Sequence, residues 1–312
     1  MDGENKKVAL ALKVATLYYR DGFNQQEIAS ELNISRATVS RLLQYGRDQG
    51  LVTIKIHNPL APLHQLQGDL MAKYPSLKQA IIVPGKSNSL EEVGIAGAHY
   101  IEKIVKNDDI IGLGWGKTVY QVAIYITTKD VSGIKVVQMK GSMANTETRN
   151  YAFETVNTFA SAFNTLPQYL PVPVIFDHAK TKELVANDTH IKYILKLGQQ
   201  ANIAVFTVGT VRDSALLFRL GYFTEREQKI LQREAVGDIF SRFIDARGQI
   251  VNQDINERTI GIRLAALKKK KHSILVAANV AKAPAIHGAL VAGYANTLVI
   301  DQESANNLLE FS

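Results

Sequence analysis

Apolar residues recur at three- and four-residue spacings near the start of the chain, with Val8, Leu12, Ala15 and Tyr19 on one line. That spacing predicts a helix with one buried face. Asp21, Gly22 and Phe23 break it. Two shorter helical patterns follow over 24–32 and 36–43, joined through Asn33, Ile34 and Ser35. Asn24 can accept from the backbone of the first, and Glu27 can return the bond, completing a capping box. Ser35 can cap the second. Ile28, Ala29, Leu32, Ile34, Val39 and Leu42 would then meet in a small core at a tight turn between two helices. This is the helix-turn-helix pattern. Residues 50–56 look like a strand that finishes a winged module.

Pro59 and Pro62 interrupt the pattern before a polar-faced helix over 63–74. The boundary falls near residue 58, giving a domain over 1–58 and a larger one over 59–312, with 59–75 as connector. Short β-rich runs at 80–83, 110–113, 134–139, 203–208, 273–277 and 297–300 alternate with helical patterns at 90–105, 118–126, 151–163, 191–200, 224–233 and 286–292. Several runs are continuously apolar, as parallel strands covered on both faces require. A doubly wound α/β domain is predicted, with ligands beyond the carboxyl ends of its strands.

A length of 312 residues agrees with two domains. The apolar runs are too short for a membrane-spanning helix. The polar first residues lead directly into a helical pattern, which predicts no secretory leader. The chain has no cysteine, so disulfides and thiolate chemistry are excluded. Together these predict a cytoplasmic protein. The net charge of +7 invites a nucleic-acid reading, yet residues 1–57 hold eight Lys/Arg against six Asp/Glu, a surplus of only two. The run 268–271 supplies four positive charges and reads as a solvated helix end.

DNA recognition would therefore rest on placed side chains. Arg36, Thr38, Ser40, Arg41 and Gln44 fall on the outer face of the second helix, with Gln25 and Ser35 at the helix starts. Guanidinium, amide and hydroxyl groups suit base edges and phosphates in a major groove. Helical hairpins in enzymes can mimic this spacing, but the small residues at the packing points favour DNA binding.

Three loops end apolar strands. Gly112, Gly114 and Gly116 precede Lys117 and Thr118, and glycines let backbone approach an anion. The position five before Gly116 is Ile111, which breaks the P-loop pattern, and Lys117 stands where a dinucleotide fingerprint needs its third glycine. A small phosphate is the better match. Lys140 ends the second strand, before Gly141 and Ser142. It is either a lysine snorkelling to solvent or a desolvated amine able to attack a carbonyl. In the third loop Lys282 can neutralise phosphate or lie exposed. Asp238, in an apolar run, can bind sugar hydroxyls or cap local backbone. Asp177 and His178 can polarise a hydroxyl or serve a turn. The histidines form no metal-ligand spacing, and no GxSxG elbow occurs. Neither cofactor nor metal is predicted.

Residues 25–43, 112–118, 140–142, 204–210, 236–248 and 286–290 together resemble the SorC family of bacterial sugar-responsive transcription regulators over essentially the whole chain. Residues 169–177 and 201–213 resemble its deoxyribonucleoside-responsive branch more closely still. The resemblance implies a tetrameric repressor that binds double-stranded operator DNA. Its effector domain would look like sugar-phosphate isomerases and deaminases. For this branch the implied effector is deoxyribose 5-phosphate, whose open-chain aldehyde would form a Schiff base with Lys140. Gly114, Gly116, Thr118, Gly141 and Ser142 would hold the phosphate or orient the sugar, with Asp177 and Asp238 on hydroxyls. Ala278 and Asn279 replace a glycine pair found in many relatives, which removes close backbone contact there. A sugar-phosphate isomerase, aldolase or deaminase carrying a DNA-binding module is the alternative, as is a regulator of this family sensing another sugar phosphate.

Overall fold

In the computed structural model, which describes residues 2–53, 61–85, 89–142 and 151–311, the chain divides into Met1–Pro59 and Leu60–Ser312. The smaller unit contains α1 (Asp2–Tyr19), α2 (Gln25–Glu31) and α3 (Arg36–Asp48). The capping box forms: Asn24 Oδ1 accepts from the N–H groups of Gln26 and Glu27 at 2.9 and 3.1 Å, and Glu27 Oε2 accepts from Asn24 N–H at 2.7 Å. Ser35 Oγ caps α3 by accepting from Thr38 N–H at 3.1 Å. Asn33, with φ 51°, takes the left-handed turn position that asparagine tolerates well.

The buried face of α1 differs from the predicted one. Ala11, Val14 and Ala15 are buried, whereas Leu12 and Tyr19 are 44% and 40% exposed. Apolar residues occupy nearly every position from 8 to 19, so spacing alone selects no single stripe. Leu43 joins Ile28, Val39 and Leu42 in the core. Leu51 and Val52 form a bend packed on it rather than a strand. Residues 54–56, the rest of the expected strand, lie outside the described residues, as does Pro59.

In the larger unit α4 (Ala61–Lys73) starts earlier than predicted, with Pro62 in its first turn. A missing backbone N–H costs nothing there. In the stretch read as connector, Leu63, Leu66, Leu70 and Tyr74 are buried in the unit's core. There follow β1 (Gln79–Val83), α5 (Leu90–Ile104), β2 (Ile110–Leu113), α6 (Lys117–Ala123), β3 (Lys135–Gln138), α7 (Ala152–Ala162), β4 (Pro167–Gln168), α8 (Ala179–Asn187), α9 (Thr189–Gln200) and β5 (Ile203–Phe206). The chain continues through β6 (Val208–Gly209), α10 (Leu216–Arg219), α11 (Glu225–Glu234), β7 (Gly237–Ile239), β8 (Arg242–Ile244) and α12 (Gln253–Arg258). It ends with β9 (His272–Ala277), α13 (Ala283–Val291), β10 (Thr297–Asp301) and α14 (Gln302–Glu310).

Seven parallel strands form the main sheet in the order β1-β10-β9-β5-β2-β3-β4. Alternate residues feed two cores. Ile203 and Val205 pack with Val93, Val122 and Phe159 of α5, α6 and α7. Ala204 and Phe206 join the cluster of Leu66, Ile286 and Leu308 from α4, α13 and α14. The unit is therefore doubly wound, as expected. The apolar run at 203–208 divides, because Val208 leaves the main sheet to pair with Ile239 in an antiparallel sheet of β6, β7 and β8. Apolar continuity does not mark where a chain changes sheets. Among the described residues no helix is long and apolar enough to cross a membrane.

The direction of winding reverses beside β2: successive strands run to β3 and β4 on one side, and to β5, β9 and β10 on the other. A crevice opens beyond the carboxyl ends of strands at such a reversal.

Candidate functional site

A cavity of about 450 Å³ occupies that crevice, within the usual range for small-ligand pockets. Four neighbouring strands supply its wall. The segment after β2 gives Trp115, Gly116 and Thr118, that after β3 gives Lys140, that after β5 gives Thr207, and that after β9 gives Lys282. Gly116 has φ 126°, and a Cβ there would meet nothing within 4 Å. Glycine is required by the backbone conformation, not by crowding.

Lys140 does not snorkel: it is 6% exposed. Its ammonium lies 3.6 Å from the centroid of the Trp115 ring and donates to Ser241 Oγ at 3.2 Å. Trp115 is fixed in turn by donating from Nε1 to the Gly141 carbonyl at 2.9 Å. Burial pulls the Lys140 amine down to about 8, partly opposed by the carboxylate of Asp238. Burial raises Asp238 above the usual carboxylate range, against the attraction of Lys140, the Ser241 N–H and Lys282. Lys282 donates to Thr118 Oγ1 at 3.1 Å and Thr207 Oγ1 at 3.3 Å. Its amine is also lowered to about 8 by burial, with Asp238 opposing. Two lysines around one carboxylate leave a cationic cavity.

The β7–β8 hairpin sets Asp238 and Ser241. Ile239 pairs with Arg242, leaving Phe240 and Ser241 as a two-residue turn with φ 50° and 64°. Such turns favour asparagine and glycine, and side chains held there cost of order 1–3 kcal/mol each. Packing holds the turn: buried Phe240 lies 5.4 Å from Phe206, centroid to centroid. Asp238 Oδ2 accepts from Ser241 N–H at 2.8 Å, fixing the hydroxyl that meets Lys140.

Several predicted residues lie elsewhere. Gly114 is buried behind the cavity wall, its N–H bonded to Val205 O at 2.8 Å, and a Cβ would stand 3.3 Å from Phe240. Gly141 is also a packing position, where a Cβ would meet Val172 O at 2.6 Å. Ser142 accepts from Gln138 Nε2 at 2.9 Å and lines a different cavity with Tyr169 and His190. Asp177 and His178 are exposed beside Glu227, Asp254 and Arg258, on another cavity. Ser142 thus lines another cavity although it is two residues from Lys140, because β3 ends at Gln138 and the strand's two-residue alternation no longer governs the chain beyond it.

Trp115, Thr207 and Ser241 were not anticipated. Trp115 is the chain's single tryptophan and Thr207 interrupts an apolar run, so both left a trace. Ser241 left none. Asn279 has φ 96°, a backbone conformation suited to glycine.

In the small unit Arg36, Ser40 and Arg41 are exposed on α3. The hydroxyls of Ser35 and Thr38 meet at 2.8 Å. Gln44 donates to Asp48 at 2.7 Å and accepts from Arg47 at 2.5 Å. Gln25 is half-buried. Arg47, overlooked in the sequence, is exposed in the last turn of α3 and donates to Tyr19 Oη at 2.8 Å.

Residues 59–310 match the Sugar-bind family of sugar-binding domains, and residues 13–49 match region 4 of sigma-70. The chain is 31% identical over 312 residues to the sorbitol operon regulator of Klebsiella pneumoniae, covering 97% of this chain and 98% of that protein. The crystal structure of full-length SorC from the same organism covers 98% of this chain and 100% of its own, with TM-score 0.73 and 28% identity. The chain belongs to the SorC family. As a SorC-family protein it is also 47% identical over 309 residues to the deoxyribonucleoside regulator of Bacillus subtilis, covering 98% of this chain and 99% of that one. These relatives are transcriptional regulators, and this SorC-family chain is a regulator rather than the enzyme considered as an alternative. Its helix-turn-helix unit binds DNA and its α/β unit binds a sugar.

Proposed function

We propose that the protein represses deoxyribonucleoside catabolism in the cytoplasm as a homotetramer, and that deoxyribose 5-phosphate releases it from its operator. The buried amine of Lys140, inside a cationic cavity, is the observation that carries this reading. The name and 47% identity of the Bacillus subtilis relative support the effector. Deoxyribose 5-phosphate brings the two groups the cavity is equipped for: an aldehyde for an amine and a phosphate for a cation. The neutral Lys140 nitrogen attacks C1, forming the C–N bond as the carbonyl electron pair moves to oxygen. The oxygen gains a proton and the nitrogen loses one, giving a carbinolamine. A second proton, given by Asp238 to the carbinolamine hydroxyl, lets that oxygen leave as water while the nitrogen lone pair closes the C=N bond, giving a protonated imine and an Asp238 carboxylate that solvent reprotonates. Asp238, with its raised proton affinity, is suited to carry the proton between nitrogen and oxygen. Lys282 and Thr118 hold the phosphate. The Gly116 segment contributes backbone, whereas Gly114, Gly141 and Ser142 act through packing and Asp177 takes no part.

The test is an operator-binding titration with and without deoxyribose 5-phosphate. Operator affinity should fall when the sugar is present, and operator should weaken sugar binding by the same factor. Release by another sugar phosphate and not by this one would overturn the effector while leaving the family intact. Arg41→Ala should weaken specific operator binding by about 1–3 kcal/mol with unchanged thermal stability, since its side chain is exposed. Unchanged affinity and salt dependence in that variant would exclude Arg41 from the DNA interface.

A further inference from the structure

Arg242 follows Ser241 directly in the β7–β8 hairpin, yet it lines a different cavity, of about 380 Å³, together with Lys182, Arg263, Glu257 and Tyr294. Arg242 is 7% exposed, and its guanidinium donates only to neutral oxygens. These include Ile262 O at 3.0 Å, Asn256 O at 2.9 Å, Thr259 O at 3.3 Å and Gly261 O at 3.4 Å. Carbonyls satisfy its donors without cancelling its charge. Among the described residues none of Lys182, Arg242 and Arg263 takes part in an ion pair. The three cations act on one another. Burial lowers Arg242 to about 10, with Arg263 adding to the effect, and burial then Arg242 and Arg263 lower Lys182, against Glu183 and Glu257. Three cations against the one carboxylate lining the cavity leave a formal surplus of two.

We propose that this cavity is a second anion site, separate from the Lys140 cavity, that takes a phosphate monoester or inorganic phosphate. Lys182 and Arg263, half-buried and exposed at its walls, supply the contacts. Arg242, already held by carbonyls, supplies the field. A dianion matches the surplus of two and relieves the repulsion among the cations.

Calorimetric titration of the full chain with inorganic phosphate at constant ionic strength tests it. Lys282→Gln first removes one of the cations of the Lys140 cavity, and no sugar is added, so the result is independent of the effector assignment. In that background a phosphate site should remain. Lys182→Gln and Arg263→Gln should each weaken it roughly tenfold, the loss of one charge-assisted contact. Glu257→Gln, which removes the opposing carboxylate, should tighten it, and a gain of affinity cannot come from misfolding. Absence of phosphate binding in the Lys282→Gln chain, or affinity unmoved by all three further substitutions, would refute the second site.

Discussion

Lys140→Met will abolish the borohydride-trappable adduct with deoxyribose 5-phosphate and weaken effector-driven release at least a hundredfold, while leaving the fold intact. Methionine keeps the unbranched stem beside Trp115 but has no nucleophile. The reason to expect reactivity from the wild-type amine is its environment. At pH 7 a lysine at about 8 is roughly one-tenth neutral, about 300-fold more than one at its ordinary value. Adduct formation should therefore rise with pH and level off above about 8. Stability should move the other way from intuition. Folding buries a cation that the unfolded chain keeps in water, so Lys140→Met should be more stable than wild type at pH 7 by roughly 1–3 kcal/mol. Between about 8 and 10.5 the unfolded state binds more protons than the folded one. Wild-type stability consequently rises with pH through that window, and the advantage of the variant should disappear by its upper end. Denaturant titrations at pH 7 and 10.5 measure the difference. An adduct that survives the substitution would place the nucleophile on another lysine.

Gly209→Ala will damage the effector site without touching the amine. Gly209 and Asp238 face each other across β6 and β7, and a Cβ on Gly209 would stand 1.9 Å from Asp238 Oδ1. One of them must move. The carboxylate is the easier to displace, although it is buried and tied to Ser241 N–H. Displacement removes the counter-charge shared by Lys140 and Lys282. We expect a loss of about 1–3 kcal/mol in stability, typical of overpacking, and at least tenfold weaker effector binding. The midpoint of the pH profile for adduct formation should shift below about 8, because Asp238 is what opposes the effect of burial on Lys140. Operator affinity without effector should be unchanged. A profile and affinity equal to wild type would show that Gly209 does not position the carboxylate.

How much of this was visible in the residues follows from the range over which each signal acts. The capping box at Asn24 and the Ser35 cap are local hydrogen bonds, so four consecutive residues specify them. Six of the seven main parallel strands also showed, because their runs are largely apolar and buried, whereas β4, two half-buried residues, did not. The small sheet did not, since β6 and β7 meet only after the chain has passed through α10 and α11. Lys140 and Lys282 stood out as charges at strand ends. The Lys140 partner Ser241 is placed by a left-handed turn that Phe240 and Ser241 do not advertise. Ser142 and Asp177 failed for the complementary reason: nearness along the chain, or resemblance to a motif, does not determine which side of a layer a side chain faces.

The cavity wall comes from segments that follow four adjacent parallel strands, with Thr118, Lys140, Thr207 and Lys282 each carried by a separate loop. The sheet behind them is fixed by its own hydrogen bonds and two apolar cores. A change in one loop therefore alters one part of the cavity wall and leaves the sheet that carries the others in place. Ligand preference in such a scaffold can drift residue by residue through ordinary mutation, each intermediate still folded and still joined to the same DNA reader.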